Sequence, residues 1–223
     1  MGARLAGVRV VIYGSRPDGH ARVVLEVLLA GEVHEVVGLV DDLPENRRRK
    51  IGMLEVIGSC DDLRRLSAEG VEGVVLGFGA AEGRDGVVGA VEAAGLKLPT
   101  LVHPSAYVAP SAQLGSGLQV LPQASIGPGA HIGRGVLINT GAIIEHDVGV
   151  GDFAVVGPGA VLAGRATVGE SVELGARAVV LPDIDVGAHA VVGAGAVARR
   201  DVLANQTVVG VPARPLARLA QDR

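Results

Sequence analysis

His146 is the residue whose type and neighbours best suit proton transfer. It lies directly between Glu145 and Asp147 in the sequence. An imidazole titrates near neutrality, and a carboxylate bonded to one ring nitrogen fixes the tautomer and raises the basicity of the other nitrogen. The arrangement therefore suits the removal of a proton from an amine or hydroxyl nucleophile. The alternative interpretation is a solvated turn histidine with charged neighbours.

The element that must position His146 is a six-residue repeat. Sixteen aliphatic residues recur at intervals of six without an insertion. They are Val102, Val108, Leu114, Val120, Ile126, Ile132, Ile138, Ile144, Val150, Val156, Leu162, Val168, Leu174, Val180, Val186 and Val192. The residue four positions after each is small or aliphatic, and in eleven of the sixteen repeats it is alanine. This register predicts a parallel β-helix of hexapeptide repeats.

The composition favours a narrow, regular core. The 223 residues include 34 glycines and no tryptophan, 2% of them are aromatic and 48% are hydrophobic. The mean hydropathy is +0.41. A chain with this much aliphatic surface can bury a core, which excludes disorder. Because large rings are scarce, valine, leucine, isoleucine and alanine must fill that core.

Stacking of the repeats brings distant residues together. In the left-handed form that such repeats imply, three hexapeptides make one triangular coil, so that residues 18 apart lie side by side. His146 then has Gly164 next to it in the following coil, and an imidazole beside a missing side chain leaves room for a ligand. A second edge of the prism ends in Ala176 and Ala194, which predict a smooth groove for a long, flexible cofactor arm.

The other histidines and the single cysteine do not form a metal site in this register. His103 is expected to be structural, whereas His131 and His189 are expected at the surface. A zinc site of this fold needs three converging histidines, and His131, His146 and His189 lie in different columns and coils. Cys60 alone allows no internal disulfide and no cysteine-based metal site.

The first hundred residues follow a different pattern, in which strands and helices alternate. Strands are predicted at 8–13, 36–40 and 73–76, helices at 20–30, 61–68 and 86–94, and a charged turn at 43–50. This alternation predicts a small, Rossmann-like parallel sheet. We therefore predict an α/β domain at 1–99, a β-helix domain at 100–210 and a C-terminal tail at 211–223.

A glycine loop follows the first predicted strand. Gly14 and Gly19 are spaced as in a P-loop, but the lysine and hydroxyl residue that must reach phosphates and magnesium are missing, which excludes nucleotide hydrolysis. At the start of a helix the loop can still offer backbone N–H groups to a phosphate. Asp41 and Asp42 end the second strand, where acidic groups bind sugar or ribose hydroxyls. The alternative is two solvated loop acids.

These motifs together resemble the sialic-acid O-acetyltransferase (NeuD) family of hexapeptide acyltransferases, which includes the PglD-like sugar-nucleotide N-acetyltransferases. The likeness runs nearly from end to end. It is carried by Ile12–Gly14, Gly19–Ala21, Gly38–Asp42, Val56–Gly58, Gly79, Arg84, His103–Pro104, Ile138–Asn139, Ile144–Asp147, Pro158–Gly159, Ala163–Gly164, Gly193–Gly195, Asp201–Val202 and Gly210–Arg214.

The resemblance implies a homotrimer that binds acetyl-CoA between neighbouring β-helices. It implies His146 as the catalytic base, assisted by Asp147. The residues implied to bind acetyl-CoA are Val155, Gly164, Ala176 and Ala194. Those implied to bind the sugar nucleotide are Gly14, Gly19, His20, Asp41, Asp42, Gly79 and Ala80.

Three departures from the family pattern concern these residues. The glycine loop is two residues longer than the usual Gly-x-x-Gly-His. Ala80 replaces an asparagine that PglD-like members place against the substrate, and Val155 replaces a second histidine near acetyl-CoA. Fold and acyl transfer are expected to tolerate these changes, whereas the identity of the acceptor stays open.

We therefore predict an acetyl-CoA-dependent acetyltransferase that modifies a sugar nucleotide, with an amino group as acceptor and no metal. One alternative is transfer to a hydroxyl, as on a sialic acid. Another is a non-catalytic β-helix that serves as a scaffold or binds a nucleotide. The net charge of −4 argues against nucleic acid as a partner. The sequence also lacks a run of about 20 apolar residues and a signal-peptide pattern, so we expect a cytoplasmic protein of bacterial or archaeal type without membrane insertion.

Overall fold

The computed structural model of the protein describes residues 7–16, 19–31 and 33–216. Its N-terminal part is a five-stranded sheet with helices. The elements are β1 (Arg9–Tyr13), α1 (His20–Gly31), β2 (Glu35–Val40), β3 (Lys50–Ile51), β4 (Leu54–Gly58), α2 (Leu63–Ala68), β5 (Gly73–Leu76) and α3 (Arg84–Ala93). The strand order is β3-β4-β2-β1-β5, and only the β3–β4 pair is antiparallel. The predicted small parallel sheet is confirmed.

The hairpin of β3 and β4 was not predicted as such. The segment 43–50 was expected to be a turn, and it does hold the 3₁₀ turn Pro44–Asn46 before β3 begins at Lys50. Along β4, partly buried residues alternate with exposed ones, because this strand lies near the edge of the sheet. Such short, half-exposed strands carry a weak hydrophobic signal.

From β6 onward the chain is a left-handed parallel β-helix, as predicted. Its strands are β6 (Leu101–Val102), β7 (Tyr107–Val108), β8 (Gln113–Leu114), β9 (Gln119–Val120), β10 (Ser125–Ile126), β11 (His131–Ile132), β12 (Leu137–Ile138), β13 (Ile143–Ile144), β14 (Gly149–Val150), β15 (Val155–Val156), β16 (Val161–Leu162), β17 (Thr167–Val168), β18 (Glu173–Leu174), β19 (Val179–Val180), β20 (Asp185–Val186), β21 (Val191–Val192), β22 (Val197–Ala198), β23 (Thr207–Val209) and β24 (Arg214–Pro215). From β6 to β21, every strand ends on an aliphatic residue of the repeat.

Strand pairing confirms the register of the coils. Ile126 pairs with Ile144, and Ile144 pairs with Leu162, so that each residue has its partner 18 positions away. From Val120 on, the second residue of each strand up to β22 points into the prism and is buried in one continuous cluster with the alanines of the corners. The narrow interior explains why the chain contains so few aromatic residues.

The first residue of each strand points outward, because side chains alternate along a strand. The three faces of the prism therefore differ. The covered face carries Leu101, Gln119, Leu137, Val155, Glu173 and Val191. The apolar face carries Tyr107, Ser125, Ile143, Val161, Val179 and Val197. The polar face carries Gln113, His131, Gly149, Thr167 and Asp185.

The N-terminal sheet and α1 pack on the covered face. Leu137 and Val155 share one hydrophobic cluster with Ile12 of β1 and Val24 of α1. On α1, Ala21, Val24, Val27 and Leu28 are buried, the spacing of one helix face. The two parts of the chain thus share a core.

The end of the described chain folds back onto the β-helix. In the predicted tail 211–223, β24 pairs antiparallel with β23, whereas residues 217–223 lie outside the described residues. Within 7–16, 19–31 and 33–216, no helix is both long and apolar enough to cross a membrane.

Candidate active site

His146 lies in the turn between β13 of the apolar face and β14 of the polar face. Its Nδ1 is 2.9 Å from Oδ2 of Asp147, and its side chain is 47% exposed. The ring lies over Gly164, where an added Cβ would come within 2.7 Å of Cε1 and closer still to Nε2. The structure therefore places an imidazole on an open edge, with one nitrogen held by a carboxylate and the other next to the space that a side chain at 164 would fill.

An ion pair continues this edge into the next coils. Asp147, Arg165 and Asp183 are stacked 18 residues apart and share a left-handed backbone, with φ of 58°, 60° and 60°. Two nitrogens of Arg165 donate to the carboxylate of Asp183 at 2.6 and 2.8 Å. Hydrogen bonding to Arg165 lowers the pKa of Asp183, and the nearby His146 adds to the shift. Sequence reasoning missed this pair, although opposite charges at a spacing of 18 could have indicated it.

The predicted acetyl-CoA residues lie in three places. Ala176 and Ala194 are exposed in turns between the covered and apolar faces, and the backbone there is so close-packed that a Cβ on Gly175 would lie 2.8 Å from Cα of Ala194. Gly164 is on the edge of His146. Val155 is 7% exposed and lies between the domains, so the structure does not bring it together with the other three.

All seven residues expected to bind the sugar nucleotide line one cavity. The cavity has a volume of about 450 Å³ and lies where β1, β2 and β5 end. Its lining includes Gly14, Gly19, His20, Asp41, Asp42, Gly79 and Ala80. Pro17 and Asp18 of the glycine loop lie outside the described residues. A second cavity of about 480 Å³ adjoins it and shares Asp41 and Asp42.

Gly14 is required by the geometry of this loop. Its φ of +113° is rarely adopted by other residues, and a Cβ would approach the carbonyl oxygen of Gly77 to 3.2 Å. The two loops that form the cavity wall therefore touch through backbone atoms alone. A side chain at position 14 would push the segments that follow β1 and β5 apart.

The two aspartates of the cavity also accept hydrogen bonds from the protein. Burial alone would raise the pKa of Asp41, but hydrogen bonds from Ser15, Asn46 and Leu43 outweigh it and lower the pKa. Asp42 accepts from the hydroxyl of Tyr13 and from the backbone N–H of Cys60. Both carboxylates therefore hold the loops of the cavity in addition to lining it.

His20 begins α1 and forms part of the cavity floor. Burial lowers its pKa to about 4, helped by the charge of Arg84 and opposed by a hydrogen-bonding contribution from Gln119. A histidine with this pKa is uncharged at neutral pH. Its ring packs next to Gly79, where a Cβ would lie 3.8 Å from Cγ.

Arg84 and Glu173 hold the cavity wall against the β-helix, and neither was singled out as a site residue. The guanidinium of Arg84 is fully buried and donates to the carbonyls of Phe78, Ala80 and Gly135 at 2.7 to 2.9 Å. Burial lowers its pKa to about 10, so it stays charged at neutral pH. Glu173 accepts from the backbone N–H of Ala81 at 2.7 Å.

His146 and the cavity do not meet within one chain. The N-terminal domain packs on the covered face of the prism, whereas His146 lies on the edge where the other two faces join. In a triangular prism that edge is opposite the covered face. A molecule bound in the cavity of one chain is therefore separated from His146 of the same chain by the body of the β-helix.

His103 and His131 make local contacts. Nδ1 of His103 is 2.8 Å from Oγ of Ser105, and Nδ1 of His131 is 2.8 Å from the carbonyl oxygen of Gly129. His189 is exposed in a left-handed turn. Across the described ranges, histidine, cysteine and acidic residues form no group of three that could hold a metal ion.

The N-terminal part matches a known family, the PglD N-terminal domain, over residues 9–91. A histidine-to-alanine mutant of GDP-perosamine N-acetyl transferase from Caulobacter crescentus, solved with CoA and GDP-perosamine, is 35% identical, with a TM-score of 0.89 over 96% of this chain and 99% of that chain. The acetyltransferase domain of PglB from Neisseria gonorrhoeae, solved with acetyl coenzyme A, is 32% identical, with a TM-score of 0.86 over 95% of this chain and 100% of that chain.

A third solved structure shares the fold at lower identity. WeeI from Acinetobacter baumannii is 21% identical, with a TM-score of 0.81 over 94% of this chain and 100% of that chain. Among proteins with a curated function, none matches the sequence.

Proposed function

Because the chain belongs to the NeuD/PglD-type family of hexapeptide acetyltransferases, we propose that it transfers an acetyl group from acetyl-CoA to the amino group of a sugar nucleotide. The 35% identical relative is named as an N-acetyltransferase and holds CoA and GDP-perosamine. That similarity favours an amine as the acceptor over a sugar hydroxyl, the alternative within this family.

The observation that carries the mechanism is the contact between His146 and Asp147. With Nδ1–H donated to the carboxylate at 2.9 Å, the lone pair of the imidazole is on Nε2, which faces the space above Gly164. In the proposed reaction Nε2 accepts the proton of the attacking nitrogen. The nitrogen forms its bond to the thioester carbonyl carbon, the carbon–sulfur bond breaks, and CoA leaves as its thiol after taking up a proton.

Direct transfer without an acyl-enzyme fits this arrangement. Covalent catalysis needs a nucleophile within hydrogen-bond reach of the base, and the only cysteine, Cys60, lies in the N-terminal domain. Gly164 supports access to His146, and the close-packed turns at Ala176 and Ala194 offer backbone groups and a smooth surface to the pantetheine arm. Val155, buried between the domains, would act on the donor only indirectly.

The cavity of the N-terminal domain is proposed to hold the sugar nucleotide. It unites Gly14, Gly19, His20, Gly79 and Ala80 at the carboxyl ends of parallel strands, where α/β sheets bind nucleotides. The backbone before α1 can bind phosphate. Asp41 and Asp42 can still accept from hydroxyls, although protein donors already use part of their capacity.

A homotrimer would bring base and cavity together. On the apolar face, Tyr107 is 58% exposed and Ile143 is 38% exposed. This face lies between the edge that carries His146 and the edge that carries Ala176 and Ala194. Packing three such faces around an axis buries them and sets the His146 edge of one copy against the groove edge of its neighbour. The donor would then lie between copies, and a neighbour would supply the base for each cavity.

The division into 1–99, 100–210 and 211–223 assigns recognition to the first part and transfer to the second. The shared core of Ile12, Leu137 and Val155 supports treating the two parts as a joined unit. We further propose that the protein works in the cytoplasm, where a lone thiol such as that of Cys60 stays reduced.

Release of CoA thiol from acetyl-CoA tests this function against a panel of acceptors. We expect turnover with a GDP-, UDP- or dTDP-linked amino sugar and none with the corresponding hydroxyl sugars. Turnover with free sialic acid alone would favour O-acetylation. CoA binding without turnover on any acceptor would favour a scaffold.

A further inference from the structure

A single polar side chain interrupts the apolar part of the covered face. Gln119 of β9 has Leu101 and Leu137 as its neighbours in the stack and is 1% exposed. Its Nε2 donates to the carbonyl oxygen of Leu76 at 2.6 Å. Leu76 ends β5, and the wall of the sugar-nucleotide cavity follows it directly.

The carbonyl of Leu76 fixes the orientation of the Gln119 amide. A carbonyl oxygen only accepts, so the amide must turn its NH₂ group toward Leu76 and its Oε1 away from it. Oε1 is sealed from solvent and has no hydrogen-bond partner among the described residues, and the same holds for Nε2 of His20. Oε1 of Gln119 is thus an acceptor without a donor, and Nε2 of His20 is a nitrogen that can donate when it is protonated. Both atoms are buried at this interface.

The protonation state of His20 completes the pattern. With its pKa lowered to about 4 by burial and by Arg84, the ring carries one proton at neutral pH. Gln119 lies near enough to act against this shift, although the structure has no hydrogen bond between its Oε1 and Nε2 of His20. When that proton is on Nε2, the unpartnered Oε1 of Gln119 can accept it, and Nδ1 is then left as an acceptor. Nδ1 lies on the side of Gly79, where a Cβ would be 3.9 Å from it, and both residues line the cavity.

We propose that Gln119, a β-helix residue, is a positioning residue for the N-terminal cavity: it fixes His20 as the Nε2–H tautomer, so that Nδ1 accepts a hydrogen bond from a hydroxyl or amino group of the bound sugar nucleotide. The inference rests on the proposed function for its ligand. It also excludes a phosphate as the partner of His20, because an unprotonated nitrogen and a phosphate oxygen are both acceptors. Arg84 adds the positive charge on this side of the ring and does not titrate near neutral pH.

The tautomer can be measured without any ligand. In the full-length protein labelled with ¹⁵N-histidine, the ¹⁵N shifts of His20 at pH 7, assigned by their loss in His20→Asn, distinguish a protonated Nε2 from a protonated Nδ1. We expect Nε2–H in the wild type, and a mixture or Nδ1–H in Gln119→Leu. The matched control is Gln113→Leu, the same change at the same position of the repeat on the polar face, where Gln113 is exposed. It should leave the His20 signals unchanged.

Affinity for the GDP-, UDP- and dTDP-linked amino sugars of the turnover panel, measured by calorimetry, tests recognition. We expect Gln119→Leu to weaken binding by about tenfold, the effect of one lost hydrogen bond, and to leave the affinity for CoA unchanged. Gln113→Leu should bind as the wild type does. A protonated Nδ1 in the wild type, or a His20 spectrum that is unchanged in Gln119→Leu, would overturn the positioning role. Unchanged nucleotide affinity would overturn the recognition. A wild type that binds no sugar nucleotide would contradict both the proposed function and the role of His20 in recognition. The ¹⁵N spectra would still show which ring nitrogen of His20 carries the proton.

Discussion

The β-helix and the N-terminal domain place their polar groups by different means. In the β-helix each residue contacts its counterpart 18 positions away, so His146, Gly164 and the pair of Arg165 and Asp183 lie along one open, rigid edge. In the N-terminal domain polar groups are joined across elements, as buried Arg84 is to Gly135 and Asp42 is to Cys60. The comparison indicates that the repeat holds side chains on an open edge, whereas the α/β domain joins polar groups from several elements around a cavity.

Removing the imidazole from the edge should have the largest effect. His146→Ala should lower kcat by about 10²–10⁴-fold, the usual contribution of an acid–base group. Affinity for acetyl-CoA should barely change, since the contacts proposed for it at Ala176 and Ala194 are mainly with the backbone. Steady-state kinetics and calorimetry measure the two quantities. His131→Ala, which removes an exposed histidine of the polar face, is the control, and wild-type turnover in His146→Ala would return that residue to a solvated turn.

Filling the space beside the imidazole should have the next largest effect. In Gly164→Ala the new methyl group would displace the ring of His146, and a reacting group misplaced by about 1 Å loses on the order of 100-fold in rate. Stability should be retained, because His146 is exposed and free to move. Gly149→Ala is the matched control, since its Cβ would only touch Thr167 at an ordinary 3.6 Å. Equal turnover in the two variants would show that the approach of His146 to Gly164 has no role.

The buried polar groups of the N-terminal domain should affect stability instead. An unfolded histidine takes up a proton near pH 6.5, whereas folded His20 takes it up near pH 4. Between these values the unfolded chain binds more protons, so the free energy of unfolding falls as the pH is lowered. Between pH 7 and pH 5 the loss due to His20 is about 2 kcal/mol.

Urea denaturation of the wild type and of His20→Asn at both pH values measures this contribution. The wild type should lose about 2 kcal/mol more than the variant, because all other titrating groups are common to both. Equal losses would show that His20 is not the buried, neutral residue on which the comparison depends.

The difference between the β-helix and the N-terminal domain also explains which features could be predicted from the sequence. The strands from β6 to β21 and the approach of Gly164 to His146 follow from counting, because contacts in a β-helix depend on one spacing. β3 and β4 could not be predicted as a hairpin, because their stabilisation comes from pairing within the sheet rather than from a strong local pattern. The roles of Arg84 and Gln119 depend on how the two domains pack. The sequence does contain one signal for Gln119, because it is a polar residue in the column of Leu101, Leu137 and Val155.

Whether the two regions work together across copies is tested most directly by mixing two inactive variants. His146→Ala lacks the base, and Ala80→Trp fills the cavity at an exposed wall position. The two variants are co-expressed in equal amounts, and light scattering checks the mass of the trimer. A site formed between neighbours then has an intact base with a probability of about one half and an intact cavity with a probability of about one half. The mixture should therefore regain about a quarter of wild-type turnover. If both parts came from the same chain, every site would carry a defect. Turnover no higher than that of either variant alone would then contradict the division of the site between neighbouring chains.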